Sequence, residues 1–356
     1  MKKCWFICLL LCTGLLSACS AEKTISGEVV EVNTNTESDI ESLVIRTEDN
    51  KDIGIIMEQN SYMVPWFDEF DEDAFKTGEQ SGILVSASCK RNRSSMMTQT
   101  GTTVTAFPAT RVSVNGMITR NALSLSDDTP IDVVKQHMFG TKYQLSDGTE
   151  LLWEHTSSGP DNVYVGGIES FDDLSESAKD RVLSFYTDRG LLYSVQDELE
   201  NAYAAFLENG ADKKFNSYHV GQDISPSASS DRLMYFRTVV TYPIDEQLIT
   251  EKHLGAAFDR ETGEYIDTLD LFTCSEQEIL PSLLNIAGVA EPELRKEMEA
   301  AFTPENIVFS PNGIELNFHQ GTLPSQEHSY FVAVDYDERL CEILHDWAIP
   351  YADETE

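Results

Sequence analysis

The chain has 356 residues, with 25 Lys and Arg against 61 Asp and Glu, a formal net charge of -36 at pH 7. A field of that sign repels phosphate backbones and anionic headgroups and draws cationic proteins or peptides, which excludes nucleic acid as a natural partner. Hydrophobic residues at 41% and aromatic residues at 10% exclude a disordered chain, and the length provides for two cores.

The first segment, MKKCWFICLLLCTGLLSACS, opens with Lys2 and Lys3, runs apolar from Cys4 to Leu16 and ends with small residues before Cys19. That pattern is a secretory signal. Its apolar run is shorter than the roughly 20 residues a spanning helix needs. Leu16, Ser17, Ala18 and Cys19 match the lipobox of bacterial lipoproteins. The resemblance implies that the Cys19 thiol takes a diacylglyceryl group and becomes the mature N-terminus. With each buried methylene contributing about 0.8 kcal/mol, two acyl chains hold a protein on a bilayer. The chain is therefore expected at the cell membrane, lipid-anchored on the extracytoplasmic face, with the bilayer as one partner.

Cys4, Cys8, Cys12 and Cys19 belong to this segment, which leaves Cys89, Cys274 and Cys341 in the body. No C-x-x-C pair and no histidine at zinc spacing accompanies them, so no metal or cofactor is expected. One disulfide between Cys274 and Cys341, or isolated buried thiols, fit the sequence equally well.

Four segments follow from the patterning: the signal and lipidation site at 1–19, a small β domain at 24–115, a connecting β/helix region at 116–170, and an α+β domain at 171–350. In the β domain, residues 25–32, 43–46, 53–57 and 82–88 read as strands, the acidic and aromatic stretch 66–75 as a helix, and 104–107 with 111–114 as a closing strand pair. This order resembles a small OB-like β-barrel. The run Asp68, Glu69, Asp71, Glu72 and Asp73 lacks the alternating ligands and turn glycine of a calcium loop and reads as a helix start. After the fourth strand, Lys90, Arg91 and Arg93 form a basic cluster in a very acidic chain, with Met96 and Met97 nearby. They are the candidate partner-binding residues, although a solvated hairpin loop explains them as well.

In the connecting region, Thr129, Pro130, Ile131 and Asp132 suit the start of a short helix reaching His137; 143–153 reads as a hairpin turning at Asp147 and Gly148, and 162–168 as a strand. Next, Asp173 or Ser175 caps a helix with Leu174, Ala178, Val182 and Phe185 on one face, stopped by Gly190. Leu192, Val195, Leu199, Tyr203 and Phe206 mark a second helix ending at Gly210. Strands are expected at 233–241, 253–258, 307–309, 314–318 and 330–334, and helices at 279–286, 292–302 and 340–347, with Ser275 and Glu278 as a capping box. The fold class is α+β: an OB-like barrel, then an antiparallel sheet packed with helices.

The stretch LGAAFDRETGEYIDTLDLF at 254–272, with VFSPNGIELNF and FVAVDYDERL downstream, resembles the extracellular domain of lysozyme-sensing anti-sigma-V factors and the non-catalytic modules of some peptidoglycan deacetylases. The likeness sits on Phe258, Asp259, Thr262 and Gly263, on Asp270, Leu271 and Phe272, and on the hairpin 309–318, and spans about 175–347. It implies that fold for this half of the chain, and a lysozyme-like ligand. Two features of those families have no counterpart: the anti-sigma cytoplasmic segment with its spanning helix, and the deacetylase domain. The family's tyrosine-rich loop is replaced by 320–328, beginning Gln320-Gly321 and ending Glu327-His328.

No catalytic residues are expected. Ser20 with Lys23, Lys76-Thr77-Gly78 and Ser113-Val114-Asn115 spell the motifs of penicillin-binding enzymes, but the serine adjoins the anchor and the last two stand in reversed order. His137, His155, His219, His253, His319, His328 and His345 are scattered singly, as surface or locally bonded residues are. The leading function is a non-catalytic surface lipoprotein that binds a cationic protein, such as a lysozyme-like muramidase, or a peptidoglycan-related ligand. Its rivals are an envelope hydrolase or accessory factor, and a spacer that docks a neighbour through Lys90, Arg91 and Arg93. Replacing Cys19 with alanine is expected to move the chain from the membrane fraction to the soluble fraction; a C19A chain that stays with the membrane contradicts the anchor.

Overall fold

The computed structural model describes residues 22–37, 39–58, 62–63, 70–136, 140–155, 163–171, 173–209, 215–245 and 248–351. Cys19 and the lipobox, His137, Asp68 and Glu69 lie outside the described residues. Among those described, no helix is long and apolar enough to cross a membrane. The chain divides into two compact units, Met1–Ser124 with Pro130–Met138, and Leu125–Thr129 with Phe139–Glu356.

The first unit holds β1 (Lys23–Thr34), β2 (Ile40–Arg46), β3 (Asp52–Met57), β4 (Tyr62–Met63), α1 (Glu72–Thr77), β5 (Ile83–Cys89), β6 (Ser94–Met97), β7 (Thr103–Ser124) and β8 (Pro130–Gln136). β1 pairs with β2, β2 with β3, β3 in parallel with β7, β7 with β5, and β5 back with β1, so five strands close into a ring. Strict alternation in β5 sends Ile83, Val85, Ala87 and Cys89 inward. They meet Ile25, Leu43, Ile45, Ile55, Val112 and the ring of Phe75 from α1 in one apolar cluster. Asp71 caps α1 by accepting from the Asp73 and Ala74 amides, both at 3.0 Å, and Gly78 ends it at φ 76.

Two expectations fail here. Residues 104–107 and 111–114 are not a pair but parts of the single strand β7; Pro108 stands opposite Ile56 of β3 within it, and a register shift leaves Thr110 as the extra residue between the partners of Ser88 and Cys89. A bulge bends a strand without reversing it. Residues 130–136 form β8 and not a helix. Ile131, Val133 and Val134 are β-branched and stiff at χ1, and β7 offers them a ladder.

The second unit holds β9 (Gly140–Leu145), β10 (Glu150–Glu154), α2 (Glu176–Arg189), α3 (Val195–Asn209), β11 (Tyr218–Ser229), β12 (Leu233–Pro243), β13 (Ile249–Asp259), β14 (Tyr265–Ile266), α4 (Glu276–Ile286), α5 (Pro292–Ala301), β15 (Ile307–Phe309), β16 (Gly313–Phe318), β17 (Tyr330–Asp335) and α6 (Glu338–Ile343). Strands β9 to β14 pair in sequence order, antiparallel except for β10 with β11. β15, β16 and β17 form a separate antiparallel sheet. The mixed α+β class follows directly.

The run Leu233-Met234-Tyr235-Phe236 on β12 is buried at every position because both faces are covered. Met234 and Phe236 pack with Phe258 and with Ala178, Val182 and Tyr186 of α2. Leu233 and Tyr235 pack with α4, α5 and the three-stranded sheet, the Tyr235 ring stacking on Phe309 at 4.5 Å. Gly255 permits this second contact, since a Cβ there would lie 1.9 Å from the Ile307 carbonyl oxygen. The 259–264 turn is built by Asp259, whose Oδ1 accepts from the Glu261 and Thr262 amides and the Thr262 hydroxyl at 3.1, 2.9 and 3.0 Å. Gly263 completes it at φ 73, close against the Ala178 backbone of α2.

Ser275 and Glu278 form the expected capping box, and Ser175, rather than Asp173, caps α2. Of the strand expected over 162–168, Asn162 lies outside the described residues; beyond it, Val165 makes one bridge to Ile224 and a short 3-10 turn covers Ile168–Ser170, with Gly167 before it at φ 69. The last helix stops at Ile343; Leu344 bridges to Phe272 and Asp346–Ala348 is a separate 3-10 turn. Cys89, Cys274 and Cys341 are free thiols, and burial pushes Cys89 up to about 11.

Candidate functional site

The basic cluster is divided by the fold. Lys90 follows β5, donates its amide to the Pro108 carbonyl at 2.9 Å and pairs through Nζ with Glu58. Arg91 and Arg93 are exposed in the connection to β6. Glu58 also lines a cavity of about 500 Å³, together with Asn35, Asp39, Glu41, Ser42 and Met96. All three cations are exposed, and Lys90 is the one that an ion pair ties to Glu58.

A larger hollow, about 580 Å³, lies in the second unit where the β12–β13 hairpin meets the ends of β16 and β17. The hairpin closes through the Ile244 amide donating to the Leu248 carbonyl at 2.8 Å, and the Leu248 amide donating to Asp245 Oδ1 at 2.9 Å. Ile244, Leu248 and Ile249 flank that polar turn and are 42%, 57% and 52% exposed. Across the hollow, Tyr330 and Phe331 are neighbours on β17 and so point to opposite faces. Tyr330 packs against the core, which leaves Phe331 68% exposed. Four large apolar side chains thus stand open to water around one concavity.

The loop joining β16 to β17 is pinned. The Ser325 amide and hydroxyl donate to Glu297 of α5 at 3.1 and 2.7 Å, the Gln320 amide donates to Ser329 Oγ at 3.2 Å, and Ser329 Oγ lies 2.9 Å from Thr250 Oγ1. His253, His319 and His328 line the hollow with Glu251 and Asn317. His253 Nε2 lies 3.0 Å from Glu251 Oε2, while its Nδ1 and the Asn317 Nδ2 are buried without a partner. Burial, helped by Lys252, holds His319 below its ordinary range. The hydroxyl of Ser329 meets Thr250 and backbone groups, so the wall presents apolar contact, one carboxylate and imidazoles.

Histidines that stand singly in the sequence also meet at a second place. Parallel pairing of β10 with β11 sets Trp153 opposite His219. His155 Nε2 lies 2.6 Å from His219 Nδ1, their rings stack at 4.9 Å, and Trp153 stacks on His155 at 4.6 Å. Lys142 sits over the Trp153 ring at 4.9 Å and bonds Glu150 at 2.6 Å. Next to them Glu154 is fully buried and accepts the Tyr143 and Tyr193 hydroxyls at 2.7 and 2.6 Å, which compensates its loss of water. Among the described residues, no group of three or more His, Cys, Asp or Glu is arranged to hold a metal ion.

Both imidazoles lie below the ordinary 6.5, His155 by burial and then by His219, His219 by burial against a weaker opposing pull from Glu150. A depressed histidine binds its proton more readily in the unfolded chain. Its contribution to stability is therefore complete above about pH 6.5 and is lost as the pH falls through the folded-state value. The denaturant midpoint is expected to drop between neutral pH and pH 5, with a smaller drop in the H155N/H219N double variant, where His319 still titrates. An unchanged drop in that variant contradicts this assignment.

A scan against protein-family models gives no match, and a search of curated proteins gives none. Among solved structures, the chain is similar to a DUF3298 family member from Bacteroides fragilis, at 12% identity and a TM-score of 0.34 over 66% of this chain and 94% of that one. It is similar too to a DUF3298 family protein from Pseudomonas aeruginosa, at 11% identity and a TM-score of 0.31, with the same coverage of 66% and 94%. TM-scores at this level do not establish a common fold.

Proposed function

We propose that this protein is a bacterial lipoprotein, held at the extracytoplasmic face of the cell membrane through Cys19, whose second unit binds a cationic protein without transforming it. The observation that carries this reading is the hollow flanked by Ile244, Leu248, Ile249 and Phe331, with Glu251 in its wall, on a chain of net charge -36. Exposed aromatic and aliphatic anchors supply affinity, and the chain's negative field raises the encounter rate with a cationic partner. A lysozyme-like muramidase is one instance, in keeping with the resemblance of 254–272 to anti-sigma-V ectodomains and deacetylase modules. In that stretch, Asp259, Thr262 and Gly263 act within their own turn, so the likeness bears on fold more than on ligand.

The first unit is read as an OB-like barrel. Supporting this are the five-strand ring, its parallel β3–β7 closure and a helix between β3 and β5. The division into a barrel at 24–115, a connecting region at 116–170 and a ligand-binding domain at 171–350 belongs to the same reading. The exposed Arg91 and Arg93 favour a second role for this unit as a docking element for a neighbour at the membrane.

Calorimetric titration of the full chain with lysozyme, at low and at physiological salt, tests the main reading. Binding that weakens with salt is expected, and F331S or E251Q is expected to reduce affinity by about tenfold, as loss of a central anchor or a charged contact does. Absence of binding at both salt concentrations contradicts the lysozyme-like instance.

A further inference from the structure

The outer edge of β13 carries more than side chains. The β12–β13 register runs without a bulge from Leu233 opposite Asp259 to Pro243 opposite Ile249. In such a pair, alternate residues send both N–H and C=O to the same side. At the far end the Asp259 amide donates to the Glu264 carbonyl at 2.9 Å and its carbonyl accepts from the Gly263 amide at 2.8 Å, so Asp259 faces away from β12. By the same parity Ile249, Glu251 and His253 face outward. The Ser329 hydroxyl, 3.5 Å from the Glu251 carbonyl oxygen, agrees with that direction.

β14 covers β13 only at Ala257 and Phe258. Over 249–253 the edge is left open, and among the described residues its one partner is that long contact from Ser329. Ile249 and Glu251 are exposed, and the edge borders the hollow with Phe331 on its other side. A row of unpaired backbone donors and acceptors is a template for another strand. Protein edges of this kind are usually blunted by proline, a bulge or a lysine facing outward. In 249–253 there is no proline and the register is unbroken.

We propose that this edge takes up an extended segment of a cationic protein as an added strand. The segment's backbone pairs with Ile249, Glu251 and His253, an apolar side chain enters the hollow against Phe331, and basic side chains meet Glu251 and the acidic field of the chain. Ser329 is the group displaced, its hydroxyl giving up the Glu251 carbonyl and keeping Thr250 and the Gln320 amide as partners. The occupant follows from charge complementarity: a chain of net charge -36 disfavours a second copy of itself on this face. This inference rests on the hollow being the ligand site, and adds the mode of recognition.

The test uses the full chain and three probes: folded lysozyme, a short synthetic peptide alternating lysine and valine, and the same peptide N-methylated at alternate amides on its pairing edge. The peptide is expected to bind, and N-methylation to weaken it by about tenfold, the loss of one or two hydrogen bonds. If the N-methylated peptide binds as well as its parent, or lysozyme binds and the peptide does not, strand addition is overturned while the ligand site stands. If no probe binds, both fall.

Discussion

Burial of β12 on both faces is the constraint on which the second unit depends. A strand whose every residue from Leu233 to Phe236 is inside needs two layers, and the chain supplies them from opposite directions: α2 against Met234 and Phe236, and the β15–β17 sheet with α4 and α5 against Leu233 and Tyr235. Neither layer tolerates much change, because Gly255 lets one approach and Gly263 the other. Their placement also sets the hollow. The β12–β13 hairpin extends past the second sheet, and its far end is where Ile244, Leu248 and Ile249 come to stand opposite Phe331.

That arrangement separates folding residues from the residues proposed to bind within single strands. On β13 the segment 254–258 is buried and holds the core, while 249–253 is partly exposed and borders the hollow. On β17, Val332 and Val334 are inside and Phe331 is outside. Substitutions at Phe331 or Glu251 therefore leave the packing of Phe236, Phe258 and Tyr235 untouched, which makes the proposed ligand site separable from stability.

Much of the fold is legible in the sequence where local chemistry decides. The Asp147-Gly148 turn, the Ser275 and Glu278 box, the Asp259 turn and the strands at 233–241 and 307–318 all stand where the pattern places them. Misreadings arise where pairing overrides local preference: Pro108 passes through β7 instead of ending it, and 130–136 extends along β7 instead of coiling. β11 is missed because Ser225, Pro226 and Ser227 look like a loop, and only its neighbours β10 and β12 hold it straight. The hollow is built from 244–253 and 317–331, two segments that no short motif joins. A signal for it was present in Ile244, Leu248 and Ile249 on either side of a polar turn, where apolar residues are not needed for folding. His155 and His219 met through a parallel pairing that spacing alone does not reveal.

Acidity and geometry act at different ranges in this account. In the proposed reading, the field of the whole chain brings a cationic partner near at low salt, whereas the anchors and the open edge decide where it stops. Hydrogen exchange of the full chain with and without saturating lysozyme tests this most directly. The account predicts slowed exchange confined to 244–253 and 317–331. Protection that appears instead around Arg91 and Arg93 in the first unit, or at His155 and His219, with 244–253 unchanged, contradicts it.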